Sequence, residues 1–263
     1  MSNTIAGSVK EVYEHRYLLY SMVVRNLKGK YKSSHLGFAW HFVTPAITIV
    51  IFYVVFTGIR AAPVDDYWVY LSIGMFPFTF LQTNLSQGSN CVVSNAGTIN
   101  KIYFPREIVA FAQVISTFII FIMAYAVIII LMLLTGFHIG IQALVSLPLI
   151  LLLSVIFATG YVLLLSAITV FVRDVHHFIE AIARVLFWIT PIFYLANDTT
   201  GILERIIWYN PFTYFIVSYQ DILYLGDIPD MFQLGVCCIL SVAVLLVGLL
   251  VFNKLKGKFA EEL

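Results

Sequence analysis

The chain has 263 residues, of which 61% are hydrophobic, 16% are aromatic and only 11% are charged. Soluble domains carry about 25% charged residues, so this composition excludes an ordinary soluble protein and indicates one that crosses a membrane several times. The net charge of +1 says little, because the side of the membrane on which each cation lies matters more than the total.

Residues 9–32 place apolar side chains, among them Tyr13, Tyr20 and Val23, at helical spacing, and basic residues elsewhere on the same helix. This pattern predicts an amphipathic helix that lies on the membrane surface with its basic residues toward lipid headgroups. It would form most of a cytoplasmic segment, residues 1–37. The alternative is a solvated basic leader that only sets the membrane topology.

The first two predicted spans differ in character. Residues 38–59 carry no formal charge and are long enough to cross a membrane. After a short loop with Asp65 and Asp66, predicted to lie outside, the second span is apolar up to Phe80 and polar from Gln82 onward. A polar half suits a helix packed in protein or beside water better than one facing lipid.

The third and fourth spans occupy the longest uncharged stretch, because no Asp, Glu, Lys or Arg occurs from residue 108 to 172. We expect spans at about 109–135 and 142–171, joined by a bend. Cations flank both ends of this helical hairpin, which places both ends on the positive, cytoplasmic side.

The last third requires a choice between six and seven spans. A fifth span is predicted at 185–196, or from about 179 with Arg184 at its inner edge, and a final span at 231–252. Counting the aromatic segment 198–230 as a further span would place the lysines of the tail 254–263 outside, against the positive-inside rule. We therefore predict an external segment that enters the membrane and returns, breaking at Asn210-Pro211.

The expected fold is thus an all-α polytopic membrane protein with six transmembrane helices within residues 38–253 and both termini in the cytoplasm. No ionisable residue lies deep in a predicted span apart from His41 and Arg184 at span boundaries, which argues against a secondary transporter and against a charged ion pore. The nucleotide-binding motif G-x-x-x-x-G-K-[ST] does not occur in the sequence, so ATP-driven work would need another polypeptide.

Residues spread along nearly the whole chain resemble the membrane subunits of type-2 ATP-binding-cassette exporters of polysaccharides, which carry O-antigen, capsule or teichoic acid. The residues that carry the resemblance are Arg25-Asn26-Leu27-Lys28-Gly29-Lys30-Tyr31-Lys32, Ser34, Leu36-Gly37, Trp40, Pro45, Gly74, Pro77, Lys101, Phe104-Pro105, Glu107, Arg173-Asp174, Trp188, Thr190-Pro191-Ile192, Tyr194 and Asn210-Pro211.

The resemblance implies a half-transporter that pairs with a second copy of itself and with two ATPase subunits in a bacterial or archaeal plasma membrane. It would move a lipid-linked glycan outward, with ATP and magnesium on the partner subunit and no cofactor in this chain. The residues expected to couple to the ATPase are Lys101, Phe104, Pro105, Arg106, Glu107, Arg173, Asp174 and Glu180. The residues expected at the membrane-surface gate, beside membrane lipids, are Arg25, Lys28, Tyr31 and Trp40.

Simpler interpretations exist for several of these residues. Arg173 and Asp174 can be a charge pair that only sets topology. His176 and His177 are adjacent and lack a third ligand type nearby, so we expect no metal there.

A sugar chain needs a wet path with flat apolar faces and hydrogen-bonding groups, which aromatic side chains supply. The candidate path residues are Tyr53, Phe56, Phe187, Trp188, Tyr194, Trp208 and Tyr209. Ordinary packing or an interfacial aromatic belt explains any one of them equally well. The main alternative function is an ABC permease for drugs or small lipids, and an intramembrane enzyme is a weaker one.

Overall fold

The computed structural model describes residues 11–29, 37–59, 64–99, 104–138, 140 and 144–263, apart from a few side chains that include Phe56. All regular structure in these ranges is helical. The longer helices are α1 (Arg16–Gly29), α2 (Trp40–Ile59), α3 (Tyr67–Ser89), α4 (Glu107–Leu134), α5 (Leu147–Phe171), α6 (Asp174–Ile189), α7 (Ile202–Tyr209), α8 (Pro211–Gln220) and α9 (Met231–Leu255).

Short helical turns extend several of these helices. Cys91–Ser94 and Ala96–Ile99 follow α3, and the π-helical turn Asp221–Leu225 continues α8. Lys256–Lys258 and Phe259–Glu262 continue α9 toward the carboxyl terminus.

Three helical stretches are long and apolar enough to cross a membrane, judged by length and composition. They are Glu107–Leu134, Leu147–Phe171 and Met231–Lys258, and a shorter apolar stretch, Phe42–Val55, lies in α2. The prediction of an all-helical, polytopic membrane protein is confirmed. The number of six spans stays a prediction.

Proline explains the two largest differences from the predicted spans. α5 begins at Leu147, with Pro148 in its first turn, rather than at residue 142. α6 runs from Asp174 to Ile189, so the predicted span 185–196 is not one helix. Thr190 takes an extended conformation with ψ of 133° because it precedes Pro191, and the helix ends there.

The leader helix also differs from its predicted arrangement. Met22 and Val23 are buried against the rest of the protein, whereas Tyr13, Tyr17 and Tyr20 are exposed. The predicted stripe grouped Tyr13 and Tyr20 with Val23, but in the folded chain α1 packs its aliphatic side chains on α4 and turns its tyrosines away. α1 thus packs one side on a neighbouring helix, and its place at the membrane surface stays a prediction.

α5 and α9 form the closest helix pair. A Cβ atom added to Gly160 of α5 would lie 2.5 Å from the backbone nitrogen of Leu245, and one added to Gly248 of α9 would collide with the Gly160 carbonyl. Small residues let helix backbones approach in this way, which is the usual route to tight packing where lipid surrounds the helices.

α3 runs through the centre of the bundle and relies on tyrosines of its neighbours. Pro77 lacks an amide hydrogen, so the carbonyl of Ile73 loses its helical partner. The Tyr125 hydroxyl of α4 donates to that carbonyl at 3.1 Å, and the Tyr161 hydroxyl of α5 donates to the Leu81 carbonyl at 2.7 Å. The first bond satisfies a carbonyl that lipid could not satisfy, and the second ties α5 to α3.

Cations are concentrated at one end of the bundle, while the other end is rich in aspartates. The start of α4 and the ends of α5 and α9 meet at one end, here called the basic end, which holds Arg106, Arg173, Lys254 and Lys256. The other end, here called the acidic end, holds Asp65, Asp66, Asp221, Asp227 and Asp230. The predicted sidedness would place the basic end in the cytoplasm.

Candidate functional site

A groove opens on the side of the bundle between α2, α3 and α6, with a volume of about 430 Å³. We call it the lateral groove. It is lined by Thr44 and Thr48 of α2, Met75, Thr79 and Gln82 of α3, and Arg184, Phe187 and Trp188 of α6. Apart from Arg184, its polar groups are hydroxyls and an amide.

The polar half of α3 forms the floor of the lateral groove. Thr79 donates to the Met75 carbonyl of its own helix at 2.7 Å. The Gln82 amide instead reaches across and donates to the Ala183 carbonyl of α6 at 2.9 Å. Gln82 therefore fixes α6 against α3 and keeps a polar group in the groove.

Aromatic rings form one wall of the lateral groove. Phe187 and Trp188 lie with ring centroids 5.5 Å apart in an edge-to-face arrangement, and Phe52 of α2 lies 6.4 Å from Trp188. Trp188 is nonetheless 63% exposed. Its neighbours hold the indole in place while leaving part of it open to a ligand.

Two further cavities border the same half of α3. One of about 200 Å³ lies between α1, α2, α3 and α4, where Asn26 and Trp40 meet Thr79, Thr83 and Gln113. The other, of about 230 Å³, continues from Gln82 and Arg184 to Ser86 and Glu180. The polar half of α3 thus lies beside cavities and, at Asn84 and Ser89, packed in protein; that it avoids lipid stays a prediction.

The first predicted coupling segment is anchored at the basic end. Glu107 is only 2% exposed, and its Oε1 accepts a charge-assisted hydrogen bond from Lys256 Nζ at 2.5 Å. Phe104 is buried, and the Arg106 guanidinium lies 5.7 Å from the centre of the Phe259 ring. Lys101 lies outside the described residues.

The second predicted coupling segment begins α6. Arg173 and Asp174 are exposed and available to a partner. His176 Nδ1 lies 3.0 Å from Ser89 Oγ at the end of α3, and its Nε2 lies 3.6 Å from Glu180. In the part of the chain that the structure describes, no group of three side chains is placed to hold a metal ion.

The residues predicted to lie at the membrane-surface gate make different contacts and do not form one cluster among the described residues. Arg25 donates to Asn95 Oδ1, which ties α1 to the short helices after α3. Lys28 is exposed, and Trp40 lines the cavity of about 200 Å³. Tyr31 lies outside the described residues.

Among the predicted path residues, Phe187 and Trp188 lie in the lateral groove. The Tyr194 hydroxyl donates to the Ile189 carbonyl at 2.6 Å and so closes the end of α6. Trp208 packs on Tyr214, Tyr53 is exposed on α2, and Tyr209 is 87% exposed. The side chain of Phe56 lies outside the described part. Of the six candidates whose side chains are described, Phe187 and Trp188 line the lateral groove.

The lateral groove and the basic end also contain residues that were not predicted from the sequence. Thr44, Thr48 and Gln82 line the groove, and Lys256 holds Glu107. The polar run after Phe80 was a visible signal for Gln82. Lys256 and Glu107 are 149 residues apart, and no local pattern connects them.

The sequence of the chain is similar to a known family of membrane proteins and to several of its named members. The family described as ABC-2 type transporter matches residues 17–224 of the chain. Two proteins of Klebsiella pneumoniae named O-antigen export system permease protein RfbA are each 29% identical over 259 residues, covering 97% of this chain and 100% of the relative. A protein of the same name from Myxococcus xanthus is 25% identical over 261 residues, covering 97% of this chain and 98% of the relative.

The family match covers most of the helical bundle, including both predicted coupling segments and the lateral groove. It agrees with the absence of a nucleotide-binding motif from the sequence, because a permease subunit of this kind leaves ATP hydrolysis to a separate subunit. The resemblance seen in the sequence is confirmed, and the chain belongs to the ABC-2 type transporter family as a membrane permease.

Proposed function

We propose that this permease exports a lipid-linked polysaccharide of the O-antigen class across the plasma membrane. The names of the three relatives, each an O-antigen export system permease over nearly the full length of this chain, support this substrate class. The lateral groove is the observation that carries the proposal.

The lining of the groove suits sugar rather than an ion. The threonine hydroxyl oxygens and the Gln82 amide oxygen offer uncharged acceptors, while Phe187 and Trp188 offer flat apolar faces. A sugar ring has the matching combination of polar hydroxyls and apolar C–H faces. No Asp or Glu lines the groove, so it lacks the usual ligands for coupling protons or cations.

A second copy of the chain would complete the path. Gln82 and Arg184 line a groove beside membrane-length helices, and polar groups of this kind are costly to expose to hydrocarbon. If α2 and α6 of two copies faced each other, the two grooves would form one wet channel. This arrangement agrees with a homodimer that binds two ATPase subunits.

In this proposal the basic end faces the cytoplasm. Segments 1–37 and 254–263 lie there, six spans cross the membrane, and segment 198–230 forms the outer mouth. The exposed Arg173 and Asp174, together with segment 101–107, would receive the ATPase, which carries ATP and magnesium.

The test measures surface polysaccharide in cells whose own copy of this chain is replaced by one of two variants. Trp188→Ala removes the open face in the groove, and Phe232→Ala removes an exposed ring of α9 outside it. We expect Trp188→Ala to lower surface polysaccharide by about fivefold, because stacking on an aromatic ring contributes on the order of 1 kcal/mol. Phe232→Ala should export normally at equal membrane levels.

Deletion of the chain without loss of surface polysaccharide would contradict the proposed substrate. Normal polymer export by Trp188→Ala would remove the groove from the path. Export of a drug or small lipid that survives Trp188→Ala would instead favour the alternative permease.

A further inference from the structure

The two predicted coupling segments meet through a third segment, Lys256–Glu262, which follows α9. Lys256 pairs with Glu107 in the first coupling segment. The Phe259 ring, fully buried, lies 6.1 Å from Phe171, and Phe171 comes two residues before Arg173 of the second coupling segment. One short segment therefore contacts the first coupling segment and the end of α5, which leads directly into the second.

The geometry points to a role for Lys256 as a positioning residue for energy coupling: we propose that Lys256–Glu262 is a bracket that makes the two ATPase-facing segments move together. The inference rests on the proposed function in one respect, because its test requires that the permease move the glycan. Its physical basis is the ion pair and the packing around it.

Burial limits the contacts that the Glu107 side chain can make. At 2% exposure its carboxylate cannot itself contact an ATPase, so any effect of Glu107 on coupling must pass through the side chain that binds it, Lys256. Glu107 Oε2 has no hydrogen-bond partner among the described residues. The bond from Lys256 to Oε1 is therefore the contact that compensates this charge, and a shift of α4 at this point must carry Lys256 with it.

Aromatic contacts of Phe259 connect this segment to α5 and to the start of α4. Phe259 lies 5.3 Å from Phe252 of α9 and 6.1 Å from Phe171 of α5, with Arg106 over its face. Packed rings transmit displacement because interiors are dense and resist compression. The start of α4 and the end of α5 are thus joined through one side chain.

Space beside the ion pair permits movement. A cavity of about 190 Å³ borders Glu107 and Lys256 and is also lined by Arg106 and by Glu11 and His15, which precede α1. The ion pair therefore borders open space rather than packed side chains on this side.

The experiment measures glycan moved per ATP hydrolysed by the permease assembled with its ATPase subunit in lipid vesicles. Lys256→Met removes the positive charge at similar volume. Lys258→Met is the matched control, because Lys258 is exposed in the same segment. A charge swap, Glu107→Lys with Lys256→Glu, restores the pair in reverse.

We expect the Lys256→Met permease to assemble with its ATPase and the complex to hydrolyse ATP. The amount of glycan moved per ATP should fall about fivefold or more, which is the low end of typical effects of energetic coupling. The charge swap should recover most of the loss, and Lys258→Met should match the unchanged protein. Lys256→Met complexes that assemble and export per ATP like Lys258→Met would overturn the proposal.

A second variant covers the case in which Lys256→Met fails to fold because Glu107 is left uncompensated. Glu107→Gln with Lys256→Met carries no buried charge, so it should reach the membrane, and its export per ATP should still be low. Normal export per ATP by this neutral pair, or failure of both Lys256→Met variants to accumulate, would overturn the proposal and assign the ion pair to folding alone. Failure of the unchanged complex to move glycan would instead contradict the proposed function.

Discussion

The basic and acidic ends of the bundle are held together by different interactions. At the basic end a buried ion pair, Glu107–Lys256, and a cluster of rings around Phe259 join three helices. At the acidic end the described contacts include no buried ion pair: the Tyr224 hydroxyl donates to the Asp65 carbonyl at 2.6 Å, and its ring packs on Tyr70 and Phe137. Asp221 there is partly buried with Asp227 and Asp230 as its charged neighbours.

The contrast matches the work each end would do. An end that receives force from an ATPase benefits from rigid connections that displace several helices at once. An end that opens to release a long polymer benefits from contacts that break at low cost. The following three changes test whether the two ends differ in this way.

The largest effect is expected from Phe259→Ala at the basic end. The ring is fully buried between Phe171 and Phe252, so its loss leaves a cavity and should lower the free energy of unfolding by about 3 kcal/mol. Thermal unfolding of the purified protein in detergent measures this. Phe232→Ala, at an exposed ring of α9, is the control, and equal effects of the two would contradict a packed basic end.

A smaller effect of opposite sign is expected from Asp221→Asn at the acidic end, in the turn that follows α8. Burial, with Asp227 and Asp230 adding to it, raises the pKa of Asp221 from 3.8 to about 6. The folded protein therefore holds this proton more tightly than the unfolded chain does, and stability falls as the pH rises through this range.

Asparagine cannot ionise, so it removes that penalty. After allowance for partial solvent screening, we expect Asp221→Asn to stabilise the protein by about 1 kcal/mol at pH 8 and to have no effect near pH 4. Unfolding curves at both pH values provide the measurement, with the exposed Glu204→Gln as control. Destabilisation at pH 8 would mean that the Asp221 carboxylate is favourably paired.

The smallest effect is expected from Tyr224→Phe. It removes one solvent-exposed hydrogen bond to Asp65 but keeps the ring contacts with Tyr70 and Phe137, so the loss should be about 0.5 kcal/mol. Tyr209→Phe, with the hydroxyl on an exposed ring, serves as control in the same unfolding assay. A loss as large as that of Phe259→Ala would show that the acidic end is as firmly held as the basic one.

The sequence predicted those features that depend on local composition. Uncharged runs located α4, α5 and α9 to within a few residues, and the polar half of α3 was identified by Gln82 and the residues after it. The helix end before Pro191 was also visible in principle, because proline restricts the residue that precedes it, but hydropathy extended the span past it.

Features that depend on distant contacts could not be predicted in this way. The side of α1 that faces protein is decided by α4, so Tyr13 and Tyr20 are exposed although they share a stripe with Val23. The Glu107–Lys256 pair and the lateral groove arise only when helices far apart in the chain pack together. Aromatic residues such as Tyr209 looked the same in the sequence as Trp188, because exposure to a groove leaves no local signature.

The most direct test of the account is reconstitution of this chain in lipid vesicles that contain a lipid-linked O-antigen polysaccharide. We predict that the glycan crosses the bilayer only when the ATPase subunit and hydrolysable ATP are both present on the side of the basic end. Glycan movement by this polypeptide alone, or steady ATP hydrolysis by the assembled complex with no movement of the glycan, would contradict it.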